Sequence, residues 1–400
     1  MVTPRPDAAN SSASSTAGLH VVHIGKYYEP DTGGIESVTR TLATGAADAG
    51  CRVSVVCFAG HGSCQGVEVR NGVTVYRETV MATVASQPVG LAYLQRCRML
   101  VREADIVHLH APNLLGMLGV CLGGSHRRLL VHWHSDIVGK GLLGHLVRPL
   151  ERLVLRSAAI IVATSRPYAE ASPTLAAHRR KVVVVPIGIA PPPAESAQVP
   201  LPVALSGRIR GRRIVLAVGR LVPYKGLDVL IRAAHRLPSD SVVIIVGHGP
   251  LAHALQSLIV TERLEDRVIL AGVLGKSDLH ALFHRATLLC APSRSRAEAF
   301  GVVLAEAMAY GVPVVATDIP GSGVPWVNQH DISGINVSVD DPEALAQACS
   351  ALLTSHALQQ RLSAGARRRY LDEFDERRFL QRMQDVYASL QPDQDTSVPL

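Results

Sequence analysis

The sequence predicts an α/β protein with two parallel sheets, and three observations carry this prediction. The chain has 400 residues, which favours two domains because a single core rarely grows to that size. Hydrophobic residues make up 48% of the chain and aromatic residues only 4%, a balance that suits helices packed on both faces of parallel strands. Short apolar runs alternate with helical patterns, as in repeated βαβ units.

Six apolar runs in the first half of the chain are predicted strands. They are residues 19–25, 52–59, 105–110, 129–134, 159–164 and 181–188. The alternation stops at 187–212, where Pro, Ser and Arg are abundant. Because proline removes helical hydrogen bonds, we predict a domain linker without helix in this segment.

Six further runs restart the alternation in the second half. They are residues 213–219, 241–247, 267–272, 286–293, 312–317 and 333–338. We therefore expect two Rossmann-like domains facing across a cleft, with ligands at the carboxyl ends of the strands. The expected segments are a disordered N-terminal extension (1–18), an N-terminal Rossmann-like domain (19–200), a C-terminal Rossmann-like domain (201–374), an amphipathic helix that packs back across the domains (375–390) and a tail (391–400).

The lack of a targeting signal and the pattern of the cysteines indicate a reducing compartment. Segment 1–18 lacks the apolar core of a signal peptide, and no apolar run reaches the ~18 residues that a spanning helix needs. We therefore expect a cytoplasmic protein. The seven cysteines are scattered and form no C-x-x-C pair, which argues against a disulfide framework and a structural zinc site. We expect reduced, mostly buried thiols.

The net charge of +7 comes mainly from arginines, some in short clusters such as 207–213 and 367–369. Such clusters can be ordinary solvated surface. The more specific interpretation is a face that attracts phosphates or anionic lipid headgroups. No basic stripe is interleaved with aromatic residues, so we expect no nucleic-acid partner.

Gly33 and Gly34 follow the first apolar run and precede a helical pattern. Glycines at a strand-to-helix turn let backbone N–H groups approach a phosphate at the positive end of the helix. A turn with unusual dihedral angles explains the two glycines equally well. Their spacing is not G-x-G-x-x-G, which lowers the case for a nicotinamide-dependent dehydrogenase.

Arg220 and Lys225 lie five positions apart on the loop that leaves run 213–219, just before a helical pattern that starts near Gly226. Two cations at the carboxyl end of a strand can clamp a diphosphate, Arg through its planar fork and Lys as a point charge. Taken alone, an exposed Arg and Lys on a loop is the simpler explanation.

Glu298 and Glu306 are separated by seven residues within 293–317. We predict a helix that begins near Phe300 or Gly301, with Glu298 just outside it and Glu306 on its side. The first-turn N–H groups of such a helix attract an anion, and carboxylates accept hydrogen bonds from sugar hydroxyls. The stretch therefore fits a sugar and a nucleotide diphosphate, although each glutamate alone has a simpler reading: Glu298 complements the helix dipole, and Glu306 is a surface acid.

Taken in order, the motifs "GGIE", "HWHSD", "GRLVPYKG", "GHGP", "EAFGVVLAEAMAYGVPVVATD" and the "SG" of "DISGIN" resemble those of the family 4 retaining glycosyltransferases, which have the GT-B fold. The resemblance covers about residues 19 to 390. It implies a nucleotide-sugar donor bound mostly by the C-terminal domain, 201–374, and an acceptor bound mostly by the N-terminal domain, 19–200.

The resemblance also implies roles for single residues. His134 takes the family position beside the anomeric carbon, with His132 and Asp136 as its neighbours, and Glu298 hydrogen-bonds the donor sugar. We therefore assign His134 and Glu298 as catalytic residues. The implied donor-binding residues are Gly34, Arg220, Lys225, Phe300, Gly301, Val302 and Glu306.

The expected chemistry needs no metal and no cofactor. Cleavage of a sugar–phosphate bond develops negative charge on the leaving diphosphate, which two cations and a helix end stabilise by ~3 kcal/mol per well-placed donor. No D-x-D sequence at a predicted strand end offers metal ligands. The family implies retention by same-face attack, in which the leaving phosphate oxygen takes the acceptor's proton.

The segments "YYEPDTGGIE", "HWHSDIV" and "GVPWVNQ" are similar in sequence to segments of bacterial mannosyltransferases that build O-antigen or exopolysaccharide from GDP-mannose. We expect that donor and a saccharide or polyprenyl-diphosphate-linked acceptor. A UDP-sugar donor, a nucleotide-sugar 2-epimerase and a non-catalytic binding module remain open alternatives. "PIGIA" at 186–190 departs from relatives that carry Asn and Asp there, which leaves contacts near the linker open.

Segment 141–157 places Arg148, Arg152 and Arg156 on one helical stripe beside leucines. Such a helix can lie on an anionic membrane and guide a lipid-linked acceptor, which would make the protein peripheral on the cytoplasmic face of the inner membrane. The alternative is an amphipathic helix that covers the sheet with its arginines in water.

Overall fold

The structure of the protein is a computed structural model. It describes residues 16–31, 33–60, 62–84, 87–124, 128–137 and 141–391, without the side chains of 141–146 and 203–204. Most of the predicted extension 1–18 and of the tail 391–400 lies outside the described residues. The chain forms two compact units, one made of residues up to Val131, Leu153–Ile160 and residues from Leu380 onward, and a second made of His132–Arg152 and Ile161–Phe379.

The first sheet has eight strands. They are β1 (His20–Ile24), β2 (Arg52–Phe58), β3 (Gly66–Arg70), β4 (Val73–Glu78), β7 (Ile106–Ala111), β8 (Leu129–Trp133), β9 (Ile160–Ala163) and β10 (Val182–Val184), and a separate hairpin pairs β5 (Ala82–Val84) with β6 (Gln87–Val89). Their order is β10-β9-β8-β7-β1-β2-β4-β3, and β3 runs antiparallel to β4 at the edge. The central pairs β1 with β2 and β1 with β7 are parallel, as predicted.

The second sheet has six strands, and every pair in it is parallel. They are β11 (Arg213–Val218), β12 (Ser241–Val246), β13 (Val268–Gly272), β14 (Ala286–Ala291), β15 (Val314–Thr317) and β16 (Gly334–Val337). The order β13-β12-β11-β14-β15-β16 is the 3-2-1-4-5-6 order of a doubly wound sheet, in which ligands bind where the order reverses. That point lies between β11 and β14.

Fourteen α-helices connect and cover these strands in the described residues. They are α1 (Gly34–Asp48), α2 (Leu91–Glu103), α3 (Leu114–Gly123), α4 (Gly141–Ser157), α5 (Arg166–Ala171), α6 (Val203–Ile209), α7 (Leu227–Ala233), α8 (Ala252–Thr261), α9 (Lys276–Arg285), α10 (Val302–Ala309), α11 (Val324–Val327), α12 (Pro342–Thr354), α13 (His356–Arg369) and α14 (Glu376–Ser389). Two Rossmann-like halves are therefore confirmed, and each of the twelve predicted runs contains a strand. The predicted domain boundaries stay predictions.

The prediction that 187–212 contains no helix is wrong, because α6 lies inside it, preceded by a 3₁₀ turn at Ala194–Ala197. Pro202 stands immediately before the first helical residue, where its missing N–H removes no intrahelical bond. Leu205 and Ile209, four positions apart, are buried and anchor the helix. The prolines of this segment precede the helix and do not interrupt it.

The apolar core of the second sheet fixes the ends of its strands. Leu230 of α7 and Leu345 of α12 are fully buried among apolar side chains of β11 and β12, including Val215, Val243 and Ile245. Each such side chain contributes roughly 1.5–3 kcal/mol on burial. The loops that leave β11 and β14 are therefore held on a rigid support.

Five of the seven cysteines are buried, and all seven are free, which confirms the expectation of unpaired, mostly buried thiols. Within the described ranges, no helix combines the length and the apolar character that crossing a bilayer requires.

Candidate functional site

The loop that leaves β11 carries Arg220 and Lys225 and closes at Gly226, the residue before α7. Gly226 has a φ of 63°, and a Cβ on it would lie 2.0 Å from the carbonyl oxygen of Pro292, in the loop after β14. Only glycine allows the backbone of the first loop to approach the second so closely. The two loops at the point of strand-order reversal are therefore packed directly together.

Lys225 and Glu298 form the ion pair at the centre of this site. Lys225 Nζ and Glu298 Oε2 lie 2.5 Å apart, with side chains only 16% and 12% exposed. Ser293 Oγ donates a hydrogen bond of 3.2 Å to the same carboxylate oxygen. Burial lowers the pKa of Lys225, but the charge and hydrogen bond of Glu298 together with the nearby Tyr224 raise it, so the pKa lies above its usual value. Lys225 is therefore a fully charged ammonium.

Glu298 leads directly into α10, whose N-terminus lies in this site. Gly301, the residue before the helix, has a left-handed φ of 82°, and Phe300 is buried against Phe374. The carbonyl of Ala299 accepts a hydrogen bond of 2.8 Å from the Gly323 N–H. The loop is thus fixed by contacts on both sides, and the first-turn N–H groups of α10 lack intrahelical acceptors.

Glu306 lies in the second turn of α10. Burial raises the pKa of its carboxyl above the usual value, while the positive charge of Lys225 acts in the opposite direction. Arg220 is exposed, donates a 3.4 Å hydrogen bond to the Tyr224 hydroxyl, and its charge also acts on Lys225. The structure therefore joins these predicted residues into one electrostatic group with Glu298.

A small cavity opens at the same place. It is lined by Lys225, Ser293, Glu298 and two apolar residues in the first turn of α10, Val303 and Leu304. Two charged side chains, a hydroxyl and a helix N-terminus can together receive a ligand that carries both hydroxyl and phosphate groups.

His134 follows β8 directly and is 7% exposed. Its ring stacks on His132, with centroids 4.3 Å apart and planes 4° apart. Burial lowers the pKa of His134 to about 3, so the ring is neutral at physiological pH. Two residues further on, the Asp136 carboxylate accepts a 3.2 Å hydrogen bond from Arg296, which precedes Glu298 by two positions.

Gly34 is the predicted site residue that lies outside the second unit. It is the first residue of α1, in the first unit, and is exposed. Gly33 before it has an extended φ of 174°, and a Cβ there would lie 2.2 Å from a carboxylate oxygen of Glu36. A side chain at Gly33 would therefore require the Glu36 side chain to move.

Sequence reasoning missed a buried cluster of histidines in the first unit. Ligand atoms of His23, His108 and His110 lie within 4.8 Å of one another, and His108 Nδ1 lies 2.7 Å from the Tyr387 hydroxyl. The sequence signal was the alternation of histidines in 105–110, which puts His108 and His110 on one face of the sheet. His23 lies beside His108 on the neighbouring strand. The rings of His108 and His110 stack 12° from parallel, so their in-plane lone pairs do not converge on one point. This arrangement favours a hydrogen-bonded array over metal binding.

Comparison with known proteins gives consistent results for both halves of the chain. Residues 33–188 match the family described as "Glycosyl transferase 4-like domain", and residues 206–369 match "Glycosyl transferases group 1". The chain is 31% identical to the O-antigen chain mannosyltransferase C of Escherichia coli over 93% of its own length and 99% of the relative. It is also 31% identical to the D-rhamnosyltransferase WbpZ of Pseudomonas aeruginosa, over 89% and 92% of the two chains.

The solved structure of sucrose-phosphate synthase from Thermosynechococcus elongatus has a TM-score of 0.75 at 22% identity, covering 93% of this chain and 99% of that one. Two doubly wound sheets, the first mostly and the second wholly parallel, with a charged site at the strand-order reversal of the second, define a protein of the GT-B fold. With relatives that match over nearly their whole length, the chain belongs to the group 1 and 4-like glycosyltransferases. It is an enzyme that transfers a sugar.

Proposed function

We propose that the protein is a retaining mannosyltransferase that moves mannose from GDP-mannose to a saccharide acceptor, lipid-linked, in the synthesis of a bacterial surface polysaccharide. The observation that carries the proposal is the Lys225–Glu298 ion pair, which sets a cation and an acid side by side at the N-terminus of α10. The name of the E. coli relative, matched along 99% of its length, supports the sugar.

The names of the two relatives limit the choice of donor sugar to one stereochemistry. Their names specify mannose and D-rhamnose, and D-rhamnose is mannose without the hydroxyl at C6. A pocket for either sugar must fit the same hydroxyls at C2, C3 and C4. GDP-D-rhamnose is therefore the second candidate donor, and a UDP-sugar is the alternative left by the sequence.

In the reaction we propose, the donor diphosphate replaces the Glu298 carboxylate as the ion-pair partner of Lys225. Both partners are largely buried, so an unpaired charge on either would be costly, and the ion pair satisfies both before the donor binds. When the diphosphate approaches Lys225 and the first turn of α10, the Glu298 carboxylate becomes an acceptor for sugar hydroxyls. Glu306 then accepts hydrogen bonds from the ribose hydroxyls.

Bond cleavage follows from the charges of these groups. As the bond between the anomeric carbon and the phosphate oxygen breaks, Lys225, Arg220 and the α10 N–H groups stabilise the negative charge on the leaving diphosphate. The acceptor hydroxyl forms the new bond on the same face, and its proton passes to the leaving phosphate oxygen. We propose that no metal takes part.

The neutral state of His134 suits a place beside the anomeric carbon. An imidazolium there would repel the oxocarbenium character that develops on the sugar, whereas a neutral ring offers one hydrogen-bond donor and one acceptor. Burial keeps the ring neutral, because it lowers the pKa of His134 to about 3.

A lipid-linked acceptor would bring the enzyme to a membrane surface. In α4, Arg148, Arg152 and Arg156 are exposed, while Val147 and Val154 are buried. We therefore propose an electrostatic contact of these arginines with anionic headgroups. The leucines at 143 and 146, which the sequence placed in the apolar stripe, lie outside the described side chains. Flotation with anionic liposomes at low salt, lost at high salt, is the expected result, and failure to float at low salt would contradict the contact.

The experiment that tests the donor is a thermal-shift and transfer assay in EDTA with GDP-mannose, GDP-D-rhamnose, UDP-glucose and UDP-N-acetylglucosamine. A shift with GDP-sugars alone, and acceptor-dependent release of GDP with retention at the anomeric carbon, is the expected result. A response limited to UDP-sugars would overturn the donor. Turnover without acceptor to a sugar epimeric at C2 would instead indicate a 2-epimerase.

A further inference from the structure

The Asp136 side chain lies at the centre of a hydrogen-bond network in the second unit. Its Oδ1 accepts bonds from Trp133 Nε1 at 3.0 Å and Ser172 Oγ at 2.7 Å, and its Oδ2 accepts from Arg296 Nη2 at 3.2 Å. Its backbone N–H donates to the Tyr168 hydroxyl at 2.5 Å. The carboxylate is only 10% exposed. The chain segment that follows β8 is therefore held by four contacts at a single residue.

Arg296 reaches this network from the loop that leaves β14. Its guanidinium lies over the Tyr168 ring, 5.0 Å from the centroid, and its Nε donates to the Gly321 carbonyl at 3.0 Å. One side chain thus contacts Asp136, the aromatic ring that also bonds Asp136, and the turn after β15. The planar guanidinium can make these contacts together, whereas a lysine ammonium cannot.

Asp136 and Arg296 each lie two positions from a residue that has a proposed role in the reaction. Asp136 follows His134, and Arg296 precedes Glu298. Two residues of extended chain span at most ~7 Å, so a shift of Asp136 or Arg296 displaces its neighbour. The pair joins positions 160 residues apart in the sequence. The pair ties the segment of His134 to the loop of Glu298.

We infer that Asp136 and Arg296 are positioning residues, which hold His134 at a fixed place relative to the loop of Glu298 during sugar transfer. The inference rests on the proposed function, since transfer is the reaction that the geometry serves. Arg296 is 25% exposed, and without it the Asp136 carboxylate keeps its hydrogen bonds from Trp133 and Ser172, so the loss of stability is limited. Loss of the pair should therefore lower the rate of sugar transfer. Nucleotide binding should not change, because it depends on Lys225 and α10.

The variants that test the inference are Arg296→Met, Asp136→Asn, the double variant and Arg296→Lys. Asp136→Asn can keep the acceptor for Trp133 and Ser172 while it loses the charge that faces Arg296. The control is Arg361→Met, because Arg361 has the same bonding pattern at the surface: it donates to one carboxylate oxygen and to the carbonyl of Asp331.

For each variant, kcat and KM of transfer and the GDP dissociation constant by calorimetry are measured. We expect Arg296→Met and Asp136→Asn to lower kcat roughly tenfold to a hundredfold, since small misplacements of reacting groups have effects of this size. GDP affinity should stay within about twofold. The double variant should be no slower than the slower single variant, because both changes break one link. Arg296→Lys should recover part of kcat, and Arg361→Met should match the parent.

Three outcomes overturn the inference while the parent enzyme is active. One is a kcat of Arg296→Met within about twofold of the parent. Another is losses that multiply in the double variant, since independent effects exclude a shared link. The third is a parallel loss of GDP affinity and melting temperature, which indicates a purely structural role. A parent that transfers no sugar from any tested donor overturns the proposed function itself, which is a distinguishable result.

Discussion

Lys225 and Glu298 neutralise each other, Nζ to Oε2 2.5 Å, on the loops that follow two neighbouring parallel strands, β11 and β14. Because the strand order reverses between these strands, their carboxyl ends leave a crevice in which a ligand can bind. The pair keeps both buried charges compensated until an anionic ligand competes for the ammonium. Removing one partner should therefore change the state of the other in a predictable direction.

Glu298→Gln should separate donor binding from transfer. The variant keeps the shape of the side chain but removes the charge that raises the pKa of Lys225, so this pKa should fall. The ammonium loses its competitor for the diphosphate, and GDP affinity should stay equal or increase, while kcat falls roughly a hundredfold with the lost sugar contact. Calorimetry with GDP and steady-state transfer measure the two effects.

The matched control for this change is Glu262→Gln, which removes an acid of the same unit that hydrogen-bonds His235 at the surface. It should leave both GDP affinity and kcat unchanged. A Glu298→Gln variant that loses GDP affinity in proportion to kcat would contradict the role assigned to the ion pair.

Glu306→Gln should stabilise the fold and weaken donor binding. Burial raises the folded-state pKa of Glu306, whereas the unfolded chain has the ordinary value near 4.3. Between these two values the folded state holds a proton that the unfolded state has released, so stability falls as pH rises through this window and stays lower above it. Glutamine carries no proton to lose, so the variant should lack this fall.

The measurement is the melting temperature of parent and Glu306→Gln from pH 4 to pH 8, with GDP affinity at pH 7. We expect the curves to converge at the acid end and the variant to melt higher at neutral pH, with GDP bound more weakly because the proposed ribose contact is lost. A variant that melts lower than the parent throughout would show that the carboxylate stabilises the fold.

Twelve of the sixteen described strands were predicted, because strands of a parallel sheet are buried on both faces and read as continuous apolar runs. All six residues of β12 are buried, for example. Strands β3 and β5 lacked this signal: every residue of β3 except the half-buried Arg70 is exposed, and all of β5 is exposed. Their pairing depends on neighbours and turns, which hydrophobic periodicity does not reveal.

The site was predictable only where its residues lie in short motifs. Lys225 and Glu298 were each placed at a strand end from local sequence, and the resemblance to a family connected them. The bond between Asp136 and Arg296 had no such signal, because it joins ordinary charged residues that only the tertiary fold brings together. The histidine cluster was missed for a similar reason, since His23 meets His108 through strand register.

His134→Asn should slow transfer while it leaves GDP binding unchanged. Asparagine keeps a hydrogen-bond donor but cannot occupy the place of the ring, and we expect kcat to fall roughly tenfold to a hundredfold. Because burial lowers the pKa of His134 to about 3, its titration should produce no limb in the pH–rate profile of the parent between pH 5 and pH 8. His253→Asn, at an exposed position of α8, is the control. A parent limb near pH 6.5 that disappears in His134→Asn would show that the ring titrates during the reaction.

Gly226→Ala should disrupt the contact between the two loops of the site. The residue combines a φ of 63° with a built Cβ that would lie 2.0 Å from the Pro292 carbonyl oxygen. The left-handed conformation costs about 1–2 kcal/mol in a residue with a side chain, and the collision adds to this. We expect a loss of roughly 3 kcal/mol or more in the free energy of unfolding, measured by urea denaturation, with weaker GDP binding because Lys225 moves.

Gly272→Ala separates the two contributions. Gly272 has nearly the same φ, 66°, but a Cβ there would meet nothing within 4 Å. Its substitution should therefore cost only the backbone strain, about 1–2 kcal/mol. The difference between the variants then measures the collision with Pro292, and equal losses would mean that the loops can separate at no cost. In that case the close approach would not be what holds Lys225 beside Glu298.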